Sequence, residues 1–259
     1  MNRQPVANSK PKTALVTGAS KRIGAAIARS LAEQGIDIAV HYFHSDVEAE
    51  SLCEELRQTG NIAVPIKADL TNAAATRKLF ADSIKAIGSI ELLVNNASIF
   101  EPDSLEAPND AQWDAHFSIH LKAPSILAAE MAKQIDLENA LIINIIDQRV
   151  RNLNPTFYSY TLSKSALWTA TQTMAQALAP KIRVNGIGPG PTLANKRQSR
   201  EDFEKQVQGL LLERAPELSE FGDTIKWLWQ AKSVTGQLIT LDGGQHLAWQ
   251  TPDVNGIKE

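Results

Sequence analysis

Short apolar, β-rich runs alternate with longer amphipathic stretches along almost the whole chain, and this alternation restricts the fold more than any other feature. The runs at 13–17, 36–43, 61–68, 90–94, 140–146, 181–187 and 237–241 read as strands. The stretches at 22–34, 46–59, 73–87, 111–134 and 158–178 read as helices, and 201–214 and 217–231 add two more. Strands separated by helices pair in parallel, because the helix carries the chain back to the starting edge. The expectation is a single doubly wound α/β domain, a seven-stranded parallel sheet with helices on both faces. It spans 12–246, between a flexible N-terminus at 1–11 and a C-terminal tail at 247–259. A chain of 259 residues, 43% of them hydrophobic, has apolar material for one large core.

Charge narrows the partners. The 26 basic and 29 acidic residues are well mixed and leave a net charge of −3. No basic face is available for nucleic acid, and no apolar run reaches the length of a membrane span. Met1 to Pro11 is polar and lacks the apolar segment of a signal peptide. Cys53 is the single cysteine, so no internal disulfide forms, and its helical setting suits a small buried residue. A small-molecule partner, a cytoplasmic setting and no metal are expected.

The first strand runs into Thr17-Gly18-Ala19-Ser20-Lys21-Arg22-Ile23-Gly24 and then a helix. Glycines let a backbone approach a pyrophosphate, and a helix N-terminus offers free N–H groups. Gly18, Ser20, Lys21, Arg22, Ile23 and Gly24 are therefore candidate cofactor contacts. The second strand ends in His41-Tyr42-Phe43-His44-Ser45, with no acid before Asp46. An acid there would take a ribose 2′-hydroxyl, whereas Lys21, Arg22, His44 and Ser45 suit a 2′-phosphate. The cofactor favoured is NADP(H). Farther on, Tyr160 and Lys164 stand four apart in a helical pattern, on one face. A nearby ammonium is expected to lower the phenol's pKa and ease proton exchange.

These motifs resemble the short-chain dehydrogenase/reductase family over nearly the whole chain. The pieces are Gly18 to Gly24, Asp69-Leu70, Asn95-Asn96-Ala97-Ser98, Tyr160-x-x-x-Lys164, Asn185 to Thr192, and Thr235-Gly236 to Asp242-Gly243-Gly244, in that order. Within the family the chain is most similar to the pteridine reductases, through Arg22, the His41-Tyr42 pair before Ser45, and Asp147. The resemblance implies a Rossmann-type fold. Asp147 stands 13 residues before Tyr160, where most members carry a serine. A carboxylate there would repel an alkoxide but suits a substrate that presents N–H groups or accepts a proton on nitrogen.

The resemblance implies an NADPH-dependent reductase acting on a dihydropterin or related C=N substrate. Tyr160 is then the proton donor, assisted by Asp147 and Lys164. Lys164 and Tyr160 also contact the nicotinamide end. Asp69 and Leu70 flank the adenine. Asn95 and Ala97 line the ribose and central cofactor path, with Asn96 a further contact. Ser98 touches both cofactor phosphate and pterin, Phe100 stacks on the pterin, and Pro189, Gly190 and Thr192 border the nicotinamide. The substrate contacts are thus Ser98, Phe100, Asp147 and Tyr160. One departure is His120, where the family usually has an asparagine whose main-chain carbonyl positions a relay water; a packed or solvated imidazole is the reading favoured. Arg149 and Arg151 follow Asp147 on a loop, where they could contact a substrate or temper its charge; a surface role is the reading favoured for each. The segment after Leu193, basic at Lys196 and Arg197, matches the family's substrate lid. A homotetramer is implied as well. Alternatives left open are a general carbonyl reductase of the 3-oxoacyl or sugar type, and a catalytically weak nucleotide-binding regulatory protein.

Overall fold

A computed structural model describes residues 10–135 and 137–250. Of the tails expected at 1–11 and 247–259, residues 1–9 and 251–259 lie outside the described residues. Lys10 and Pro11 belong to the folded body: Pro11 is buried, and the Lys10 ammonium donates to the Gln34 carbonyl.

Seven strands form one parallel sheet: β1 Thr13–Val16, β2 Asp37–Tyr42, β3 Ala63–Lys67, β4 Leu92–Asn95, β5 Ala140–Ile145, β6 Ile182–Pro189 and β7 Leu238–Leu241. Their order is β3-β2-β1-β4-β5-β6-β7. The order reverses between β1 and β4, which pair with Val16 opposite Val94. A parallel sheet opens a crevice at such a switch point, beyond the strands' C-terminal ends. Pro65, which cannot donate to a ladder, sits in the edge strand β3.

The helices are α1 Arg22–Glu33, α2 Asp46–Arg57, α3 Ala73–Ile87, α4 Asp110–Phe117, α5 Ala123–Ala132, α6 Tyr158–Leu178, α7 Arg200–Gln208 and α8 Leu218–Gln230. Successive strand residues point to opposite faces, so each central strand feeds two cores. Val16, Val40, Val94 and Ile143 pack under α1, α2 and α8, with Ile27, Leu56 and Phe221 among their partners. Leu15, Ala39, Leu93 and Ile142 pack under α3, α5 and α6, against Phe80, Leu127 and Ala175. Burial on both faces explains why these strands are apolar throughout rather than alternating.

Two helices differ from the sequence expectation. The stretch at 111–134 is a helix interrupted by a π turn, Ser118–Lys122, with Ala123 N–H bonding the Ser118 carbonyl. Pro124 follows this turn. It has no N–H and its ring crowds the preceding turn, so the regular ladder breaks there. The helix read as 201–214 stops at Gln208. It buries no residue, and beyond Gly209 the backbone finds a better partner, Leu212 N–H bonding the Gly243 carbonyl at 3.0 Å. Ala123 and Ala128 lie in the core, whereas Ala129 is exposed. On α8, Trp229 is buried and Trp227 is half exposed. No helix among the described residues is long and apolar enough to cross a membrane.

Candidate active site

A cavity of about 740 Å³ opens at the C-terminal ends of the strands. It gathers all but two of the cofactor and substrate candidates from Gly18 to Thr192; one exception is Ser45, which sits at the start of α2 outside the cavity. Asn95 also faces away from it. Its amide donates to Asn144 Oδ1 at 2.8 Å, and Asn144 in turn donates to Thr171, so Asn95 ties β4 to β5 and α6 instead.

The turn after β1 is built for close approach. Gly18 has φ +60°, and a Cβ there would lie 2.9 Å from Ala97 Cα. A Cβ on Gly24 would lie 2.3 Å from the Gly18 carbonyl. Asn96 braces the turn by donating to the carbonyls of Thr17 and Gly18, at 2.9 and 3.0 Å. His41 braces it from the other side: Gly18 N–H donates to Nδ1 at 2.9 Å, and Nε2 lies 3.1 Å from the Ala68 carbonyl. The first-turn N–H groups of α1 receive no side-chain cap, and no acid lies among them. This cradle fits the pyrophosphate of a dinucleotide.

His41 must stay neutral to accept from Gly18, and burial lowers its pKa to about 4. The unfolded chain takes up a proton near pH 6.5 that the folded chain refuses. Stability is therefore full above pH 6.5 and falls between pH 6.5 and 4, by about 3 kcal/mol from this group. His41→Asn keeps an acceptor for Gly18 but does not titrate. Denaturant melts of this variant at pH 7 and pH 4.5 should show a shallower acid loss than the parent; an equal loss refutes the assignment.

The expected cluster of free cations is already engaged. Lys21 pairs with Glu48 at 2.7 Å, and Arg22 donates to the carbonyls of Leu193 and Ala194, each at 3.0 Å. His44 lies tilted against Phe43. Asp46, the nearest acid after β2, is held by Lys67 at 3.0 Å. Asp69 accepts from Thr71 and so shapes the turn after β3.

At the other end, Tyr160 donates its phenolic hydrogen to Asp147 Oδ2 at 2.8 Å, while Asp147 Oδ1 accepts from Arg149 N–H at 2.8 Å. Burial raises the Asp147 pKa above the usual carboxylate range, against the pull of those two donors. Burial and the adjacent carboxylate also hold the Tyr160 phenol well above its ordinary value. The direction is opposite to the expectation from Lys164. That ammonium turns away to donate to the Ile145 carbonyl at 2.8 Å, and its nitrogen lies 5.8 Å from the Tyr160 ring centre. Burial lowers the Lys164 pKa to about 8. A carboxyl held partly toward its acid form beside a phenol forms a pair able to carry one exchangeable proton.

Phe100 stands edge-on to Tyr160, with ring centres 4.7 Å apart. One of its faces is stacked on Phe157 at 4.1 Å. His120 is buried in the π turn, where Nδ1 lies 2.8 Å from Ser163 Oγ and Nε2 lies 2.9 Å from Ser98 Oγ. Ile99 N–H also points to Nε2, so the neutral Nδ1–H tautomer satisfies every partner. Burial keeps its pKa well below 6.5. The imidazole links the turn after β4 to α6, in keeping with the packed reading.

The family model for short chain dehydrogenases matches residues 12–205. The chain belongs to the short-chain dehydrogenase family. Among solved structures of the family, the FolM alternative dihydrofolate reductase 1 from Brucella canis, complexed with NADP, is 53% identical; the match covers 93% of this chain and 96% of that one, with a TM-score of 0.91. A blue fluorescent protein from a metagenomic library, in complex with NADPH, is 31% identical, with 90% and 97% covered and a TM-score of 0.84. A 3-oxoacyl-[acyl-carrier-protein] reductase FabG of Staphylococcus epidermidis is 30% identical over 242 residues, 91% of this chain and 99% of that protein.

Phe157, stacked on Phe100, escaped the sequence reading of this short-chain dehydrogenase. Phe157 gave no signal, because it lies three residues before Tyr160 in a loop and takes φ +55°. Arg197 donates to the Phe100 carbonyl at 2.6 Å and to Glu101 at 3.1 Å, pinning the segment after β6 to the aromatic pair. Arg151 is exposed and reaches the Leu238 carbonyl, whereas Arg149 lines the cavity.

Proposed function

We propose that the protein is an NADPH-dependent reductase of a dihydropterin or a related cyclic C=N compound. The observation that carries this reading is the 2.8 Å hydrogen bond from Tyr160 to Asp147. It puts a carboxylate where an alkoxide would be repelled and a developing N–H welcomed. The NADP and NADPH complexes of the similar structures support the cofactor. The dihydrofolate reductase named among them supports the substrate class.

When bound, the dinucleotide supplies a hydride to the carbon of the C=N bond. The Gly18–Gly24 turn and the start of α1 would hold its pyrophosphate. Lys21, Arg22 and His44 would meet a 2′-phosphate, and Lys164 the ribose hydroxyls at the nicotinamide end. Pro189, Gly190 and Thr192 border the same end of the cavity. As the substrate nitrogen gains the electron pair of the broken π bond, the Asp147–Tyr160 pair delivers it a proton, and solvent returns one to the pair. The same reading carries a cytoplasmic homotetramer. The exposed Ala129 and half-buried Ala166 and Ala170 on α5 and α6 allow close helix contact.

Mixing the purified protein with NADPH and a panel of dihydropterins should give absorbance loss at the NADPH band with at least one of them. No oxidation with any dihydropterin overturns the proposal. A second reading, a 3-oxoacyl or other carbonyl reductase, is favoured by the Staphylococcus relative. It predicts turnover of ketones in the same assay and none of pterins.

A further inference from the structure

We infer that Arg149 reads the substrate, donating a hydrogen bond to a ring oxo oxygen while Asp147 accepts from a neighbouring ring N–H. The pair would thereby recognise the lactam edge of a flat heteroaromatic ring. The inference rests on the reading of the site as a reductase of cyclic C=N compounds, and deepens it by naming the substrate edge that is recognised.

Arg149 follows Asp147 by two residues, in the short 3₁₀ turn Gln148–Val150. Its main-chain N–H is anchored on Asp147 Oδ1, so the side chain starts from the catalytic carboxylate. Its guanidinium carbon lies 5.3 Å from the centre of the Phe100 ring and 5.0 Å from that of Phe157. That position is at the side of the aromatic pair and on the wall of the cavity. The positive charge is felt by both Asp147 and Tyr160.

One nitrogen of this guanidinium is left without an acceptor. Arg149 Nη1 is buried without a hydrogen-bond partner, and no carboxylate pairs with the side chain among the described residues. Other arginines facing the lid and sheet differ. Arg22 holds two lid carbonyls, Arg151 holds the Leu238 carbonyl, Arg183 holds four carbonyls near the end of α8, and Arg197 holds Phe100 and Glu101. A buried guanidinium N–H without an acceptor is costly, and an acceptor brought by a ligand removes that cost. Arginine only donates, and an ionised carboxylate only accepts. Side by side beneath an aromatic wall, the two match a ring that presents C=O next to N–H. A ring bearing an amino group in place of the oxo group would set donor against donor at Arg149.

The test is a binding titration of the NADP⁺-loaded protein with a 2-amino-4-oxopteridine and with the matching 2,4-diaminopteridine. Arg149→Met should weaken the oxo ligand by about 10- to 100-fold and leave the diamino ligand within about threefold. Arg149→Lys keeps a charged donor and should retain more of the oxo affinity than Arg149→Met. Equal weakening of both ligands, or no weakening of the oxo ligand, overturns the inference while leaving the reductase reading intact. If neither pteridine binds the parent protein, the reductase reading falls and this inference with it. The unfolding midpoint and NADP⁺ affinity of each variant should match the parent, which separates recognition from misfolding.

Discussion

Replacing Tyr160 by Phe is expected to lower kcat by about 10²- to 10⁴-fold, the range for removing a positioned proton donor. The effect should be confined to turnover. The ring of Tyr160 is buried beneath Phe100, and Phe keeps that packing. What disappears is the hydroxyl, and with it the hydrogen bond to Asp147 Oδ2. The carboxylate keeps the Arg149 N–H on its other oxygen, so it is not stripped of partners. Steady-state rates with the best substrate, together with NADPH titration, check this. A rate within about threefold of the parent would show that the proton comes from elsewhere.

The second large effect concerns the acceptor atom. Asp147→Ser should cut turnover of a dihydropterin by about 10²-fold or more, because it removes one member of the proton-carrying pair. The same change should leave any ketone reduction unchanged or raise it, since a hydroxyl can donate to a developing alkoxide and a carboxylate cannot. The pH dependence separates the two variants further. Burial holds the Asp147 pKa above the usual carboxylate range, so its acid form is retained further toward neutral pH. Pterin turnover should rise as pH falls toward that value and decline as pH rises through it, and Asp147→Ser should abolish that limb. A variant that keeps pterin turnover within about threefold, with an unchanged pH profile, would refute nitrogen as the acceptor.

Much of the molecule could be read from its residues in order. The strand and helix alternation yields the seven parallel strands, because burial on both faces leaves a continuous apolar signature. The Thr17–Gly24 turn was visible because glycine at Gly18 and Gly24 is required by backbone and side-chain atoms within 3 Å. Local pattern failed where a distant partner decides. The helix at 111–134 is continuous by composition, yet Pro124 opens its ladder and the π turn places His120 between Ser98 and Ser163. Lys21 and Arg22 look free in sequence, but Lys21 pairs with Glu48 and Arg22 donates to the carbonyls of Leu193 and Ala194.

The stretch from Asp147 to Lys164 shows the division most clearly. Spacing alone set the phenol and the ammonium on one helix face, and the resemblance to the family added the carboxylate 13 residues earlier. Only the tertiary structure decided how they share charge. The fold buries Tyr160 and Lys164, half-buries Asp147, turns Lys164 toward the Ile145 carbonyl, and leaves the phenol facing the carboxylate. It also brings Arg149 and Phe157 against Phe100. Burial and distance set these energies, and both depend on chain segments remote from the motif.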